Sequence, residues 1–499
     1  MPTVVVTATR FRQPLSEIGT TVSVVDSQQI QRQKIHTVGN VLREVPGVQV
    51  TQSGAPGALT DVSIRGSTAA QTLVMLDGVA VNTGASGSFD LANITTGNLD
   101  RVEVVRGAGG SLYGSQAIGG VINMITKRGE GPLKLDYLSE GGNRATQRQV
   151  MTINGADGAL AYSGALSYFS TTGYHLLNDS ADNLSGALRL DYQVSADTVV
   201  KGFARYIRSN VSLVNYANSV TPTDPNAHQR NEFMLYKGEI DHRFGKRLRT
   251  NVSAYYVRSQ LRLNALPFPQ YPAFEASSIP DEIRGTTWEA EYVWLKGVRT
   301  LLGFDFKDRW ARVADNFRES GTISNTAFTA RRQEYAGYVE QEASYFHGLV
   351  NVTGGFRIDG NSQFGLEVSP SWAVAIPIPH RGLTFRGSYS EGFRAPSFDE
   401  LYFPFYGNPD LKPEISSEYD GGFTKTLGER ASVTVTYFSR RVHDLIVTVP
   451  CPSCRFGDEA GNAGRVDVQG VEFVPTVLLV PGLTLSGNFT WLDETHVSS

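Results

Sequence analysis

The sequence predicts an antiparallel transmembrane β-barrel that follows a small α/β domain. Three observations support this prediction: period-two alternation beyond residue 132, polar side chains on one strand face, and aromatic side chains on the other. In residues 383–390, one face carries Leu, Phe, Gly and Tyr, while the other carries Thr, Arg and Ser. A helix would scatter those polar residues around its whole circumference, so the pattern indicates a strand.

A soluble antiparallel sandwich would alternate in the same way. The predicted strands, however, are about 9–11 residues long, which is the length that spans a bilayer. Their second face also carries Arg, Asp and Gln, as in residues 188–194. Such groups suit a water-filled lumen, whereas a dry core would leave them without hydrogen-bond partners. The pattern therefore favours a membrane barrel over residues 133–499.

Residues 10–132 predict a compact α/β domain instead. Asp26 followed by Gln29 predicts a helix N-terminus, and Thr37 begins a second helix that Pro46 and Gly47 end. Short strands are predicted at 48–51, 61–64, 72–76, 101–105 and 120–126.

The composition excludes several classes of protein. The chain has 499 residues and a formal net charge of −4, so no basic surface indicates a nucleic-acid partner. No apolar run reaches about 18 residues, which excludes a transmembrane helix. The first residues lack the basic and apolar regions of a signal peptide, as in a cytoplasmic protein or one whose leader has been trimmed.

Enzyme motifs are also missing from the sequence. There is no Gly-x-Ser-x-Gly and no His-Glu-x-x-His, and the glycine-rich stretch 106–114 lacks the Gly-Lys-Ser/Thr of a phosphate-binding loop. The chain is therefore predicted not to be an enzyme.

A set of motifs carries a family resemblance over nearly the whole chain. In the first domain these are NVLREVPGV, IRG, LDGV, DRVEVVRG, SLYG and AIGGVIN, at 40–48, 64–66, 76–79, 100–107, 111–114 and 117–123. In the barrel they are EGFRAP at 391–396 and YGNPDLKPE at 406–414. Together they resemble the TonB-dependent outer-membrane receptors. The resemblance implies that residues 10–132 are a plug domain, which fills and gates the lumen of an outer-membrane barrel.

The resemblance also implies a barrel of about 22 strands. Residues 133–499 supply roughly 16–18 strands of membrane-spanning length. The barrel is therefore expected to be C-terminally incomplete, with its last strands missing from this sequence. Two open edges in lipid would leave backbone groups without partners.

The first residues, 1–9, resemble the TonB box of this family. TonB, together with its inner-membrane energising complex, is the partner that captures this segment. β-Branched residues favour an extended chain that adds to the edge of a partner sheet. The alternative is an ordinary edge strand of the plug. The box residues are Thr3, Val4, Val5, Val6, Thr7 and Ala8.

Four charged residues are predicted to clamp the plug to the barrel. Arg65 and Arg106 lie in plug motifs, while Glu418 and Glu472 lie on inward strand faces. In the family such residues meet at the plug–barrel interface, and a guanidinium group matches a carboxylate with two parallel hydrogen bonds. The alternative is that each charge faces water alone in the lumen.

Two apical plug loops are the candidates for binding a ligand, because such loops face outward in this family. Small residues there would let a bulky ligand approach the backbone, although flexible glycine turns with no ligand explain them equally well. Connections in 206–231 and 263–281 could add contacts. The candidate residues are Ser53, Gly54, Ala55, Pro56, Gly57, Ala58, Gly84, Ala85, Ser86 and Gly87.

Within the family, the chain is most similar to the vitamin B12 (cobalamin) transporters. Stretches at 5–11, 51–54, 359–365 and 405–409 carry that similarity. The predicted function is therefore TonB-dependent import of cobalamin or a related corrinoid. A ferric-siderophore or other metal-chelate receptor is the alternative. A passive pore or adhesin is disfavoured because it would need neither plug nor TonB box.

Metal and redox sites are weakly indicated. Some cobalamin transporters bind calcium through loop carboxylates, and Asp179 and Asp182 lie in a roughly matching loop. Two acids fall far short of the 6–8 oxygens, roughly, that calcium takes, so no cofactor is expected to be required. Cys451 and Cys454 lack the further ligands of a zinc site, so a disulfide that closes a small loop is the simpler reading.

Overall fold

In a computed structural model of the protein, the residues described are 4–5, 7–54, 56–173, 178–213, 227–265, 275–319, 322–428, 430–452, 454 and 457–497. Two predicted TonB-box residues, Thr3 and Val6, and one candidate ligand contact, Ala55, lie outside them. Within the described chain, no helix combines the length and the hydropathy needed to cross a membrane.

The plug contains short strands and short helices. Its strands are β1 (Val4–Val5), β2 (Gln13–Pro14), β3 (Thr21–Asp26), β4 (Val48–Gln52), β5 (Thr60–Ile64), β6 (Thr72–Leu76), β7 (Val79–Ala80), β8 (Leu99–Arg106) and β9 (Gly120–Thr126). Its helices are α1 (Ser27–Gln33), α2 (Val38–Leu42) and α3 (Gly110–Tyr113).

The remaining strands follow, with one short helix, α4 (Phe398–Tyr402). They are β10 (Lys134–Gly141), β11 (Gln147–Asp157), β12 (Leu160–Thr171), β13 (Ala181–Ser195), β14 (Thr198–Ser212), β15 (His228–Phe244), β16 (Leu248–Ala265), β17 (Glu275–Leu295), β18 (Val298–Glu319), β19 (Thr322–Tyr345), β20 (Val350–Asn361), β21 (Gly365–Ile378), β22 (Leu383–Arg394), β23 (Glu414–Leu427), β24 (Ala431–His443), β25 (Ile446–Pro450), β26 (Asp458–Asn462), β27 (Arg465–Val480), β28 (Leu483–Ser486) and β29 (Phe489–Val497).

The plug is built on a five-stranded sheet in the order β3-β8-β9-β6-β7, in which only β6 and β9 are parallel. Asp26 caps α1 by accepting a hydrogen bond from the backbone N–H of Gln29 at 2.8 Å, as the sequence predicts. Apolar residues of α1, α2 and the sheet form one core, with Ile30, Leu42 and Ile122 at most 4% exposed.

Among the described residues, the barrel wall is an 18-stranded antiparallel sheet from β10 to β29, into which β25 and β26 do not enter. Strands β28 and β29 both pair with β27, one along each half of it. The predicted strand length of about 9–11 residues is wrong for much of it. Strand β18 has 22 residues and β19 has 24. Neighbouring hairpins pair with each other beyond the length a bilayer needs, so the extended backbone keeps its hydrogen bonds. The larger strand number implied by the resemblance stays a prediction.

Alternation sorts the wall into two faces. On β14, the odd residues Phe203, Ile207 and Val211 are 2–9% exposed because they face the plug inside the sheet. Leu188 and Tyr236 face outward and remain 43% and 51% exposed. An apolar outer face and a filled interior are the arrangement of a plugged membrane barrel.

The two ends of the barrel differ in their connections. At one end, here called the turn end, strands are joined by short links such as 196–197 and 296–297. At the other, here called the loop end, the connections include 213–227, 395–413 and 444–464. The predicted connections at 206–231 and 263–281 are therefore too long, because β14 to β17 continue into both ranges.

The plug–barrel interface as the candidate functional site

Arg65 occupies the turn that follows β5 and reaches into the wall of the barrel. Its side chain is 0% exposed. Its Nε and Nη2 atoms donate to the two carboxylate oxygens of Glu472, at 2.9 and 3.1 Å respectively. Its Nη1 atom donates to Glu418 at 2.7 Å. The φ of Arg65 is +52°, and the turn is completed by Gly66 at +73°. The turn thus holds the guanidinium against the barrel.

Arg106, the last residue of β8, approaches the same carboxylate from the sheet. Its Nη1 atom donates to Glu472 at 2.8 Å and to the backbone oxygen of Pro46 at 3.1 Å. Gly47 packs so closely here that an added Cβ would lie 2.3 Å from Glu472. The Pro-Gly motif therefore matters because it lets the backbone come within reach of the buried ions.

Two further charged residues at this interface were not predicted from the sequence. Asp420 lies 2.9 Å from Arg65, and the Nη2 atom of Arg440 donates to the backbone oxygen of Arg65 at 2.7 Å. Asp420 follows Glu418 by two residues and therefore lies on the same strand face. The alternation pattern of the sequence already indicated this position. Arg440 lies opposite Glu418 in the β23–β24 register, which the sequence did not reveal.

We call these six residues the ion cluster, and their side chains are at most 5% exposed. Its formal charges balance, because three arginines meet three carboxylates. The members are Arg65, Arg106, Glu418, Asp420, Arg440 and Glu472.

The two plug arginines respond differently to this environment. Burial by itself lowers the pKa of Arg65, but the carboxylates of Asp420, Glu472 and Glu418 outweigh it and raise the pKa well above its usual value. The pKa of Arg106 is lowered, because burial and nearby Arg65 outweigh its pairing with Glu472. Arg65 also stacks on a phenyl ring, with its Cζ atom 4.2 Å from the ring centroid of Phe438. Of the two plug arginines in the cluster, Arg65 is thus the better compensated.

A polar cavity of about 170 Å³ borders the ion cluster between the plug and strands β22 to β24. Arg106, Arg386 and Asp420 line it together with Thr434 and Thr436. A cavity of this size and polarity has room for several water molecules. The cavity therefore leaves room for water at the edge of the cluster.

The segment that resembles a TonB box is docked on the plug. Val5 is 0% exposed, and β1 pairs with β2. Thr7 donates its backbone N–H to Glu103 at 2.7 Å and accepts from the Tyr113 hydroxyl at 2.8 Å. Its hydroxyl accepts from Asn123 at 3.0 Å. The described part of the segment is thus packed against the plug, with Val4–Val5 in a strand and Thr7 and Ala8 in the turn that follows.

Arg10, just after the segment that resembles a TonB box, binds this part of the plug to the barrel. It was not predicted from the sequence. Its guanidinium lies between the rings of Tyr113 and Tyr338, with centroids 4.7 and 4.6 Å away. It donates to Glu289 at 2.5 Å and to the backbone oxygen of Leu112 at 2.7 Å. A basic residue just after the box was visible in the sequence, but its partners are about 100 to 330 residues away along the chain.

One of the two predicted ligand loops is enclosed at the loop end. The backbone N–H groups of Gly84 and Ala85 donate to Asp281 of β17 at 2.6 and 3.0 Å. The backbone oxygen of Gly84 accepts from the N–H of Phe398, at the start of α4, at 2.9 Å. Ser86 remains exposed, whereas Gly87 is buried. Only the tip of this loop is therefore open to a ligand.

The other predicted loop is more open. Ser53 and Gly54 are exposed, and Pro56 and Gly57 are half-buried. Ala58 is 6% exposed because it packs against Ala181 and Val211 of the wall. The first half of this loop thus forms the accessible apex of the plug.

Asp90 braces the two apical loops. Its Oδ1 atom accepts from the backbone N–H groups of Thr60 at 3.0 Å and Ala92 at 2.9 Å. Its Oδ2 atom is buried and, among the described residues, has no hydrogen-bond partner. Burial raises the pKa of Asp90 to about 6, against these two hydrogen bonds.

The remaining predicted site residues lie apart from the ion cluster. Cys451 and Cys454 are joined by an S–S bond, so their sulfurs are not free thiolates. With Glu459 they form the one group of three potential metal ligands among the described residues, and Asp179 and Asp182 do not belong to it. Both oxygens of Asp182 accept from the side-chain amide of Asn210. Calcium binding at these two acids stays a prediction.

Arg65→Ala tests the energetics of the ion cluster. Three carboxylates would lose their main counter-charge, so we expect the free energy of unfolding of the plug to fall by about 3–5 kcal/mol. Arg441→Ala is the matched control, because it breaks an exposed pair with Asp467 at 2.8 Å and should cost at most about 1 kcal/mol. Calorimetric melting of the purified protein measures both, and equal losses would contradict a structural role for the cluster.

Asp90→Asn tests the pH dependence of the plug. A folded-state pKa near 6, above the unfolded value, means that the folded plug gains stability as pH falls from 7 to 5. The variant should lose this gain and, at pH 7, unfold with a free energy about 2–3 kcal/mol higher. Asp157→Asn, in an exposed position at the turn end, is the control that should leave the pH profile of melting unchanged. Identical profiles for wild type and Asp90→Asn would contradict the assignment.

Comparison with known proteins agrees with this architecture. A family model described as TonB dependent receptor-like, beta-barrel matches residues 132–498, and one described as TonB-dependent Receptor Plug Domain matches residues 14–121. The chain also resembles the alcaligin outer-membrane receptor FauA from Bordetella pertussis, with a TM-score of 0.76 at 17% identity, over 99% of this chain and 83% of that one.

Two further solved structures share the fold. The siderophore receptor PirA from Pseudomonas aeruginosa has a TM-score of 0.73 at 22% identity, covering 97% of this chain and 86% of its own. The ferric citrate transporter FecA has a TM-score of 0.77 at 15% identity, covering 97% and 79%. The chain therefore belongs to the TonB-dependent receptors, which are transporters of the outer membrane and not enzymes.

Proposed function

We propose that this protein imports a ferric siderophore or a similar bulky metal chelate, using energy that TonB delivers from the inner membrane. The observation that carries the proposal is the ion cluster, which holds the plug inside the lumen by buried charges from both domains. A passive pore would need an open lumen, and an adhesin would need no docked N-terminal segment. A blocked lumen with a removable plug is what active import requires.

The N-terminal segment is the point at which force would enter. For TonB to add it to a sheet edge, residues 3–8 must leave the contacts of Val5 and Thr7 with the plug. Tension then passes through Arg10 to β3. Because Thr21 of β3 pairs with Arg106 of β8, the pull reaches the ion cluster directly.

The cargo is the finer part of the proposal. The named relatives include receptors for siderophores and for ferric citrate, and this favours a ferric chelate. Cobalamin is the second candidate, favoured by the sequence similarity at 5–11, 51–54, 359–365 and 405–409. Uptake of radiolabelled ferric siderophores and of radiolabelled cobalamin by cells that express the protein separates the two. Uptake of neither would contradict both.

Val5→Pro tests whether the N-terminal segment couples transport to TonB. Proline lacks the backbone N–H that strand addition uses, so uptake should fall to the level of cells without TonB. Ligand affinity should change little, because Val5 is buried and does not belong to the apical loops. Val5→Ala is the matched control, since it shortens the side chain and keeps the N–H. Full uptake by Val5→Pro would rule out strand addition at this residue.

A further inference from the structure

The outer face of strands β14 to β17 carries a group of arginines near the loop end. Even-numbered residues of these strands point away from the plug, because odd-numbered ones such as Ile207 and Val257 pack into its core. At the outward positions within 206–212, 228–234, 258–264 and 276–284 there are two glutamates and five arginines. We call the five arginines the arginine patch, and they are Arg208, Arg230, Arg258, Arg262 and Arg284.

The wall supplies partners for two of these arginines. Glu232 pairs with Arg230, and Glu282 pairs with Arg284 at 3.1 Å. Counting Asp182 of neighbouring β13, five arginines face three acids, so the outer face keeps an excess of positive charge. Among the residues that the structure describes, the members of the patch that make no hydrogen bond or ion pair are Arg208, Arg258 and Arg262.

The register of the strands sets like charges side by side. Arg262 lies directly opposite Arg230 in the pairing of β15 with β16, and like charges in such a position destabilise a sheet. Arg208 lies opposite Glu232, which already pairs with Arg230. An anion held between these side chains would remove the repulsion, and the fork of a guanidinium group matches a phosphate group.

Toward the turn end, the same outer face is indented. Gly202, Gly238 and Ala254 lie side by side on β14, β15 and β16. A Cβ atom added at Gly202 or Gly238 would meet no heavy atom within 4 Å. The resulting groove, here called the outer groove, has a volume of about 530 Å³. The larger side chains that border it are apolar or aromatic, namely Leu188, Leu190, Tyr236 and Tyr256.

The outer groove and the arginine patch are continuous along β14. Ala204, Tyr206 and Arg208 follow one another on the outward face, so Arg208 lies about 13 Å beyond Ala204. An apolar groove thus leads to unpaired cations over the length of one short strand segment. A phosphorylated lipid has its apolar and charged parts in this same order, whereas a free anion would leave the groove empty.

We propose that this outer face binds one phosphorylated lipid of the surrounding membrane, in the leaflet at the loop end. Its phosphate groups pair with Arg208, Arg258 and Arg262, and one acyl chain lies in the outer groove over Gly202 and Gly238. Charge complementarity selects the headgroup, and burial of the acyl chain holds it in place. The site lies outside the barrel, so it is independent of the cargo that the plug admits.

The test is a lipid titration of the purified full chain in detergent, followed by native mass spectrometry, which counts bound lipids. The probes are diphosphoryl lipid A, uncharged diacylglycerol and inorganic phosphate. We expect one molecule of lipid A to bind, with an affinity at least about tenfold higher than that of diacylglycerol. Inorganic phosphate at the same concentration should not displace it, because phosphate has no acyl chain to bury.

A double variant tests the arginine patch. Arg208→Gln with Arg262→Gln removes two unpaired cations, so the affinity for lipid A should fall about tenfold or more. The matched control is Arg331→Gln with Arg441→Gln, which makes the same change in net charge on the outer face. These two side chains are 61% and 52% exposed, and each already pairs with an aspartate. The control should therefore bind lipid A as wild type does.

A glycine variant tests the outer groove. The side chain of Gly238→Leu has room to point into the groove without disturbing the wall, and it should displace part of the acyl chain. Loss of contact with even one CH₂ group should weaken lipid A binding roughly fourfold. Gly337→Leu is the matched control, since Gly337 is an exposed glycine of β19 whose added Cβ also meets nothing within 4 Å.

Three outcomes would contradict the proposal. Lipid A might fail to bind wild type, or bind the arginine variant and its control equally, and either result would overturn it. Normal binding by Gly238→Leu, or displacement by inorganic phosphate, would overturn the assignment of the acyl chain to the groove. A dimer of wild type that Gly238→Leu dissociates would show that this face joins two copies of the chain and binds no lipid.

Discussion

The position of the plug depends on one buried set of charges. Arg65 and Arg106 come from the plug, and their carboxylate partners come from strands β23 and β27 of the wall. Charges this deeply buried are tolerated only while every partner is present, since each stranded ion would cost several kcal/mol. A small shift of the plug would break several pairs together. The cluster therefore defines one seated position, and the close approach of Gly47 to Glu472 reinforces it.

A charged interface also suits the plug movement that the proposed function requires. Apolar surfaces that separate are exposed to water at full cost, whereas separated ions recover hydration. The polar cavity beside Asp420 already brings room for water to the edge of the cluster. Because β3 pairs with β8, the proposed tension on the N-terminal segment would reach Arg106 through a backbone ladder. In the proposed mechanism, the same contacts would hold the plug when dry and release it when water enters.

The sequence by itself determined the class of fold, because alternation of polar and apolar residues reports directly which strand face meets lipid. It also identified Arg65, Arg106, Glu418 and Glu472 as candidates that the structure brings together, and the shared face of Asp420 was readable in the same way. Only the tertiary structure decided that Arg440 joins them, that Arg10 is held by the wall, and that α4 covers Gly84. Period two assigns a face to each residue, but the register between strands decides which side chains meet, and register depends on the whole sheet.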